Sequence, residues 1–183
     1  MTLNVALGLL VLIVLWVIIA YNRFVSLNNK TGEAWSDITV QLKRRHDLIP
    51  NIVTTVAGYA KHEKQVFENV TAARTKAMAA QSISDKGDTE NALTGALKSV
   101  IAVAEAYPDL KANQNFLSLQ SELAETENKI MMARRYYNGN VRDFNTSIQS
   151  FPGNILAGMF RFSQKEFFKL DDANEANVPD AKF

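Results

Sequence analysis

The sequence contains no cysteine, and this absence excludes several kinds of chemistry. Without a thiol there is no disulfide, no cysteine nucleophile and no cysteine-ligated zinc or iron–sulfur site. The absence leaves the cellular compartment undecided, since it suits both sides of a membrane. Glycines are also few, and the chain has no phosphate-binding glycine loop, no Gly-x-Ser-x-Gly turn and no His-Glu-x-x-His motif. These absences favour a protein that is not an enzyme.

An excess of positive charge is missing as well. Twenty basic and nineteen acidic side chains give a net charge of +1 over 183 residues. A protein that binds nucleic acid usually carries a basic surplus, because it must neutralise several phosphates. Nucleic acid is therefore not an expected partner.

Residues 1–22 have no charged side chain, and residues 5–20 are continuously apolar. Roughly 20 helical residues span the hydrocarbon layer of a bilayer, so residues 1–22 are predicted to be a transmembrane anchor. The alternative is a cleaved signal peptide, which would have a basic beginning, a shorter apolar core and a small-residue cleavage site. None of these is convincing here, because no basic side chain precedes the run and Ile18 to Tyr21 make a poor cleavage site. We expect the anchor to be retained.

Basic residues follow the anchor and do not precede it. Arg23 and Lys30 come first, and Lys43, Arg44 and Arg45 form a cluster soon after. Lys and Arg near a span are preferentially kept in the cytoplasm. The predicted orientation has the N-terminus outside and the following domain in the cytoplasm.

Apolar residues beyond the anchor recur with helical periodicity. A stripe that begins at Trp35 and ends at Ala80 predicts one long amphipathic helix, kinked but not broken at Pro50. Residues 81–89 are rich in turn-forming side chains and predict a loop, with Thr89 as the N-cap of the next helix. That second helix is expected to end before Pro108, because the residue preceding a proline disfavours the helical conformation.

A third soluble helix is indicated by apolar residues at every seventh position from Phe116 to Phe151. We expect this helix to run through Gly139 and to end at Pro152-Gly153. The predicted fold is all-α: a transmembrane helix (1–22), then an antiparallel helical bundle (23–170) with a long kinked first helix and a short C-terminal amphipathic segment. Residues 171–183, rich in Asp and Glu, are predicted to be a disordered acidic tail.

The segment 154–170 concentrates large apolar side chains. It is predicted to fold back on the bundle, to contact another subunit or to lie on the bilayer interface. The residues assigned to an oligomer or membrane contact are Ile155, Leu156, Met159, Phe160, Phe162, Phe167 and Phe168.

Charged residues on the predicted helices indicate a polar network within the bundle. Its proposed members are Arg45, Asp47, Glu63, Glu127 and Arg134. One interpretation is a functional polar site, and the other is a set of ion pairs that fixes helix register. We favour the second, because buried charge pairs are best attested as devices of specificity.

No metal or cofactor site is expected. His46 and His62 are the two histidines, and no Glu-x-x-His pair of a helical carboxylate metal site occurs. Glu125 and Glu127 cannot act together as acid and base, since residues two apart on a helix point about 200° apart.

Three sequence blocks resemble the LemA family. They are residues 40–51 (VQLKRRHDLIPN), residues 107–113 (YPDLKAN) followed by 125–130 and 133–138, and residues 141–145 (VRDFN) followed by Phe151-Pro152. The resemblance implies a bacterial inner-membrane protein with an N-terminal span, a cytoplasmic helical bundle and no firmly assigned activity. Some members of the family occur beside membrane metalloproteases. Gly139-Asn140 departs from the family pattern, where an acidic and a small residue are commoner.

Two functional hypotheses follow. The leading one is a membrane-anchored, non-enzymatic scaffold that contacts membrane lipid and self-associates or assembles partners at the cytoplasmic face of the membrane. The alternative is a regulatory or ligand-binding accessory subunit of a neighbouring membrane enzyme such as a metalloprotease. An enzyme is the minority hypothesis.

Overall fold

The computed structural model describes residues 2–170, which form six helices and no strand. This confirms the predicted all-α class. The predicted acidic tail, 171–183, lies outside the described residues. The helices are α1 (Thr2–Ala57), α2 (Lys64–Ala79), α3 (Ile83–Glu105), α4 (Pro108–Lys111), α5 (Gln114–Gln149) and α6 (Gly153–Met159).

The described residues divide into two compact units. The first unit contains residues 2–39 and 132–167, and the second contains residues 40–131 and 168–170. Helices α1 and α5 therefore each contribute residues to both units. The predicted domain boundaries at residues 22 and 170 remain predictions.

Helix α1 begins in the apolar segment and continues far beyond it. Within residues 2–170 it is the one helix long and apolar enough to cross a membrane, and none of its apolar window is buried. The same helix passes through Pro50 without a break, as predicted. The side chains of Phe24, Ala34 and Ile38, later in the same helix, are fully buried. The unburied apolar segment is thus the first part of a helix that goes on to build a core.

The prediction of one continuous helix from Trp35 to Ala80 is wrong at residues 58–63. Helix α1 ends at Ala57, and the turn that follows is closed by hydrogen bonds from the Tyr59 and Ala60 amides to the Val56 carbonyl, of 3.0 and 2.9 Å. Gly58 lies where the helix stops, and glycine costs about 1 kcal/mol relative to alanine inside a helix. Ala60, within this turn, is fully buried.

The predicted loop at residues 81–89 is also wrong in extent. Helix α3 begins at Ile83, and the Ser82 side chain is its N-cap, accepting a 3.0 Å hydrogen bond from the Asp85 amide. Thr89 lies inside the helix. The predicted end is confirmed, since α3 stops at Glu105 and Pro108 opens the short helix α4.

Helix α5 runs uninterrupted through Gly139 and ends before Pro152, both as predicted. Its heptad positions from Phe116 to Phe144 are buried, whereas Phe151 is 80% exposed. Full burial of a large apolar side chain contributes about 1.5–3 kcal/mol, so this face accounts for much of the packing energy of the helix. The buried heptad positions are Phe116, Leu123, Ile130, Tyr137 and Phe144.

The segment that follows α5 divides into buried and exposed residues. In the first unit, Leu156 is buried, and the Phe162 ring packs edge-on against Phe24 and Phe144 with centroids 5.5 and 6.2 Å apart. Phe168 is fully buried. Part of the segment therefore folds back, as one alternative predicted. Four predicted contact residues keep an exposed side chain: Ile155, Met159, Phe160 and Phe167.

Residues 160–167, which we call the strap, are non-helical and held by polar contacts within the first unit. The Asn145 amide donates to the Lys165 carbonyl at 2.9 Å and accepts from the Lys165 amide at 2.8 Å. The Tyr137 hydroxyl donates to the Glu166 carbonyl at 2.8 Å. Burial, together with the charge of Glu166, raises the pKa of Tyr137 to about 12, so the hydroxyl keeps the proton that it donates.

Candidate functional site

The second unit contains a buried ionic cluster centred on Arg45 of α1. The Arg45 side chain is fully buried. Its Nη1 donates to the two carboxylate oxygens of Glu127 on α5, at 2.9 and 3.1 Å, and to the Thr94 hydroxyl on α3 at 3.2 Å. Its Nη2 forms an ion pair with Glu90, also on α3. One guanidinium therefore joins three helices.

Glu90 is the buried anion of the cluster, with 1% of its surface exposed. The Nε2 atom of His46 lies 2.8 Å from its other carboxylate oxygen and donates a hydrogen bond to it when Nε2 carries the proton. The Thr94 hydroxyl donates back to the Glu90 carbonyl at 2.9 Å, a bond within α3. Both carboxylate oxygens of Glu90 are thus engaged by side chains of α1.

A further hydrogen bond beside the cluster depends on Pro50. A proline lacks the amide hydrogen that would normally bond the carbonyl four residues earlier, here that of His46. The Nε atom of Arg74, on α2, donates to this carbonyl at 2.7 Å. The helical acceptor that Pro50 leaves free is therefore satisfied from a neighbouring helix.

The electrostatics of the cluster favour the charged forms. Burial would lower the pKa of Arg45, but the negative charges of Glu127 and Glu90 and their hydrogen bonds outweigh it, and the pKa is raised. Burial would raise the pKa of Glu90, but the His46 hydrogen bond and the charge of Arg45 outweigh it, and that pKa is lowered. Arg45 and Glu90 accordingly remain an ion pair at neutral pH.

Two polar atoms at the cluster have no hydrogen-bond partner within residues 2–170: Nε of Arg45 and Oε1 of Gln41, one helical turn earlier. A buried donor or acceptor left unpaired costs about 1–3 kcal/mol. The cluster thus combines strong charge-assisted bonds with an incompletely satisfied guanidinium.

The structure brings together two of the five residues predicted to form the polar network, Arg45 and Glu127. Asp47 is exposed. Glu63 accepts a hydrogen bond from the Tyr107 hydroxyl at 3.3 Å, and Arg134 is buried but belongs to the first unit. The predicted role of this set remains a prediction.

Sequence reasoning missed Glu90, which is central to the cluster. A signal for it was present, because Glu90 precedes Leu93 by three residues and so continues the apolar face that runs from Leu93 to Ala104. A carboxylate at an apolar position of a helix indicates a buried, paired charge, as Arg45 did in the first helix. The assignment of residues 81–89 to a loop hid this continuity.

The cluster offers a substrate little access. Arg45 and Glu90 are at most 1% exposed, whereas the Glu127 side chain is 38% exposed. Within residues 2–170 no group of three or more His, Asp or Glu side chains is placed to hold a metal ion. The arrangement is suited to holding α1, α3 and α5 in one register.

The fold and this cluster define a class: a helical protein with a candidate membrane span and ion-paired packing between helices. The LemA family model matches residues 34–183, and the chain belongs to the LemA family. This confirms the family indicated by the three sequence blocks.

Several relatives also match along most of the chain. Magnetosome protein MamQ 1 of Paramagnetospirillum magneticum is 24% identical over 184 positions, covering 86% of this chain and 68% of the relative. Magnetosome protein MamQ of Magnetospirillum gryphiswaldense is 22% identical, covering 92% and 72%. Protein LemA of Metamycoplasma hominis is 25% identical, covering 86% and 72%. With the candidate span, these similarities indicate a membrane-associated helical protein.

Proposed function

We propose that the protein is a membrane-anchored, non-enzymatic helical scaffold that self-associates or assembles partners at the cytoplasmic face of a bacterial inner membrane. The observation that carries this proposal is that α1 has an unburied apolar part followed by a part that packs in a protein core. Its first part is apolar and unburied, whereas Phe24, Ala34 and Ile38 of the same helix are buried in the first unit. An apolar helical surface that the protein does not cover is suited to lipid.

The proposed orientation rests on charge. Arg23 and Lys30 follow the apolar segment directly and are both exposed. Basic residues close to a span favour the cytoplasmic side, which places the bulk of the chain there.

The non-enzymatic part of the proposal is supported by the accessibility of the charged groups. Catalysis requires acid and base groups that a substrate can reach. Arg45 and Glu90 are buried and paired with each other. The names of the relatives also state no reaction.

Self-association is supported by exposed apolar side chains in the first unit. Ile155, Met159 and Phe160 are 56%, 70% and 46% exposed, close together on and just after α6. Exposed apolar patches commonly mark protein or membrane contacts. Confinement to a membrane raises the effective concentration, so weak contacts can suffice.

The absence of cysteine allows a direct test of orientation and assembly. Single cysteines are introduced as Asn4→Cys and Ser99→Cys, and cells are treated with a maleimide that does not cross membranes. Labelling of Asn4→Cys in intact cells, with Ser99→Cys labelled only after lysis, is the expected result. The opposite pattern, or both proteins in the soluble fraction, would overturn the proposal.

Assembly is tested by cross-linking Met159→Cys in isolated membranes, with Ser99→Cys as the exposed control outside the patch. We expect cross-linked oligomers for Met159→Cys only. The contrary result is that each cysteine variant gives monomers alone and that a membrane-permeant lysine cross-linker also gives monomers alone. That result would contradict self-association and scaffolding by this surface.

A second candidate is an accessory subunit that acts on a neighbouring membrane enzyme. The partial exposure of Glu127 favours it, because this carboxylate is held in place by Arg45 yet reaches the surface. For this function, Glu127→Gln should reduce the activity of the partner enzyme while the melting temperature changes little. Unchanged partner activity would remove this candidate.

A further inference from the structure

A groove in the first unit lies where the apolar run of α1 ends. Its volume is about 620 Å³, and it is lined by residues of α1, of the second half of α5 and of the turn after α5. On α1 its lining begins at Trp16 and ends at Leu27, so the groove passes from the apolar segment to the first charged residue, Arg23.

The lining of the groove combines two kinds of chemistry. Trp16 and Ile19 supply apolar surface, and Arg23 and Arg142 supply positive charge. Trp16 and Arg23 are seven residues apart, which is roughly 10 Å along a helix. The interfacial layer on each side of the hydrocarbon is about 5–7 Å deep, so this distance is enough to pass from the hydrocarbon through that layer. An amphipathic ligand, with one apolar and one charged part, suits such a lining.

The charge of the lining suits one negative group. Arg23, Arg142 and Asp143 are the ionisable residues of the lining and sum to +1. Arg142 pairs with its neighbour Asp143, Nε to Oδ1 3.5 Å, whereas Arg23 has no ion pair within residues 2–170. Ser147 and Ser150 also line the groove, but their hydroxyls donate to the Phe144 and Thr146 carbonyls. Recognition of an anion therefore depends on the two arginines.

We propose that this groove binds one anionic phospholipid, with its phosphate between Arg23 and Arg142 and an acyl chain along Trp16 and Ile19. The proposal rests on the membrane anchoring proposed above and adds a lipid class to it. Arginine is well suited to phosphate, because its planar fork of donors matches the phosphate oxygens. A lipid with no net charge would not balance the +1 charge of the lining.

The test uses the full chain in mild detergent, titrated with phosphatidylglycerol or phosphatidylcholine and analysed by native mass spectrometry. We expect tighter binding of phosphatidylglycerol. Arg23→Gln and Arg142→Gln should each weaken it by about fivefold, the contribution of one basic side chain near an anionic lipid surface. The matched controls are Lys30→Gln on α1 and Arg135→Gln on α5, which remove the same charge from exposed positions outside the groove.

Equal binding of the two lipids, or equal losses in the groove and control variants, would overturn the inference. Soluble glycerol phosphate is added as a competitor, and full competition by it at the lipid concentration would show a site for free phosphate and also overturn the lipid assignment. Flotation with liposomes separates the two proposals. A chain that floats without lipid preference refutes the groove alone, whereas a chain that does not float refutes the anchor.

Discussion

The interiors of the two units are stabilised differently. The second unit has a largely aliphatic core that includes Ile49, Ile52 and Leu93, and it also contains the fully buried Arg45 and Glu90. A core cluster of the first unit is smaller and contains two aromatic residues, Phe24 and Phe144, and side chains of this unit also bond the backbone of the strap.

The difference shows two ways of making helical packing specific. Aliphatic side chains on helices can often repack after a shift in register, so a buried ion pair adds a large penalty for the wrong register. Phe24 and Phe144 pack edge-on against Phe162, which already restricts geometry, and Asn145 places the strap through its amide. The second unit thus contains a buried ion pair that penalises a wrong register, whereas the first contains aromatic packing and hydrogen bonds to the strap backbone beside the buried Arg134.

The largest expected effect comes from Arg45→Met. It leaves Glu90 buried without its cation, and removal of one partner of a buried ion pair costs about 3–5 kcal/mol. We expect a markedly lower melting temperature by circular dichroism in detergent, and faster amide exchange in residues 40–131 than in the first unit. Arg44→Met, at an exposed position, should stay within about 0.5 kcal/mol. Equal melting temperatures for the two variants would show that charge does not specify the second unit.

Two glycines of α3 should respond in opposite directions. A Cβ at Gly87 would collide with the Lys169 carbonyl oxygen, and overpacking of this kind costs about 1–3 kcal/mol. A Cβ at Gly95 would meet no atom within 4 Å, and alanine there should stabilise the helix by about 1 kcal/mol. Chemical denaturation of Gly87→Ala and Gly95→Ala measures both. A stabilising Gly87→Ala would mean that residues 168–170 do not pack on α3.

Asn145→Ala tests the strap of the first unit. It removes both hydrogen bonds to Lys165, each contributing about 0.5–1.5 kcal/mol. We expect faster exchange of the Lys165 amide, with little change in residues 40–131. The control is Asn140→Ala, because the Asn140 side chain bonds the Tyr136 carbonyl of its own helix and no atom of the strap. Similar exchange in both variants would argue against a strap held by Asn145.

The smallest expected effect concerns the start of α3. Ser82→Ala should cost about 1 kcal/mol through loss of the N-cap, seen as fraying of the first turn by amide exchange. Thr89→Ala should be neutral or slightly stabilising, since alanine is the better helix former inside a helix. A larger loss of stability for Thr89→Ala than for Ser82→Ala would instead identify Thr89 as the N-cap of α3.

Much of the fold could be predicted because long helices repeat their signal. The heptad of α5 continues over five buried positions, so Gly139 could not obscure it. The break at residues 58–63 could not be seen in the same way. Val56, Val66 and Val70 keep the same phase on both sides of the turn, and periodicity alone does not distinguish one helix from two helices joined in phase.

The candidate site could be predicted only in part. Arg45 was found because a charge at an apolar heptad position demands a partner. The choice among Glu63, Glu90 and Glu127 as that partner depends on which helices meet at Arg45, and one chain's local pattern does not encode this. Arg134 shows the limit: it also lies on a buried face, but in the first unit.

Pro50 and Arg74 form a pair whose members depend on each other. Since the proline withholds a donor from the His46 carbonyl and Arg74 supplies one, an ordinary residue at position 50 would compete with Arg74 for that oxygen. Substitutions at the two positions should therefore be non-additive, and α2 acquires an attachment to α1 that exists only because the helix is imperfect at this point.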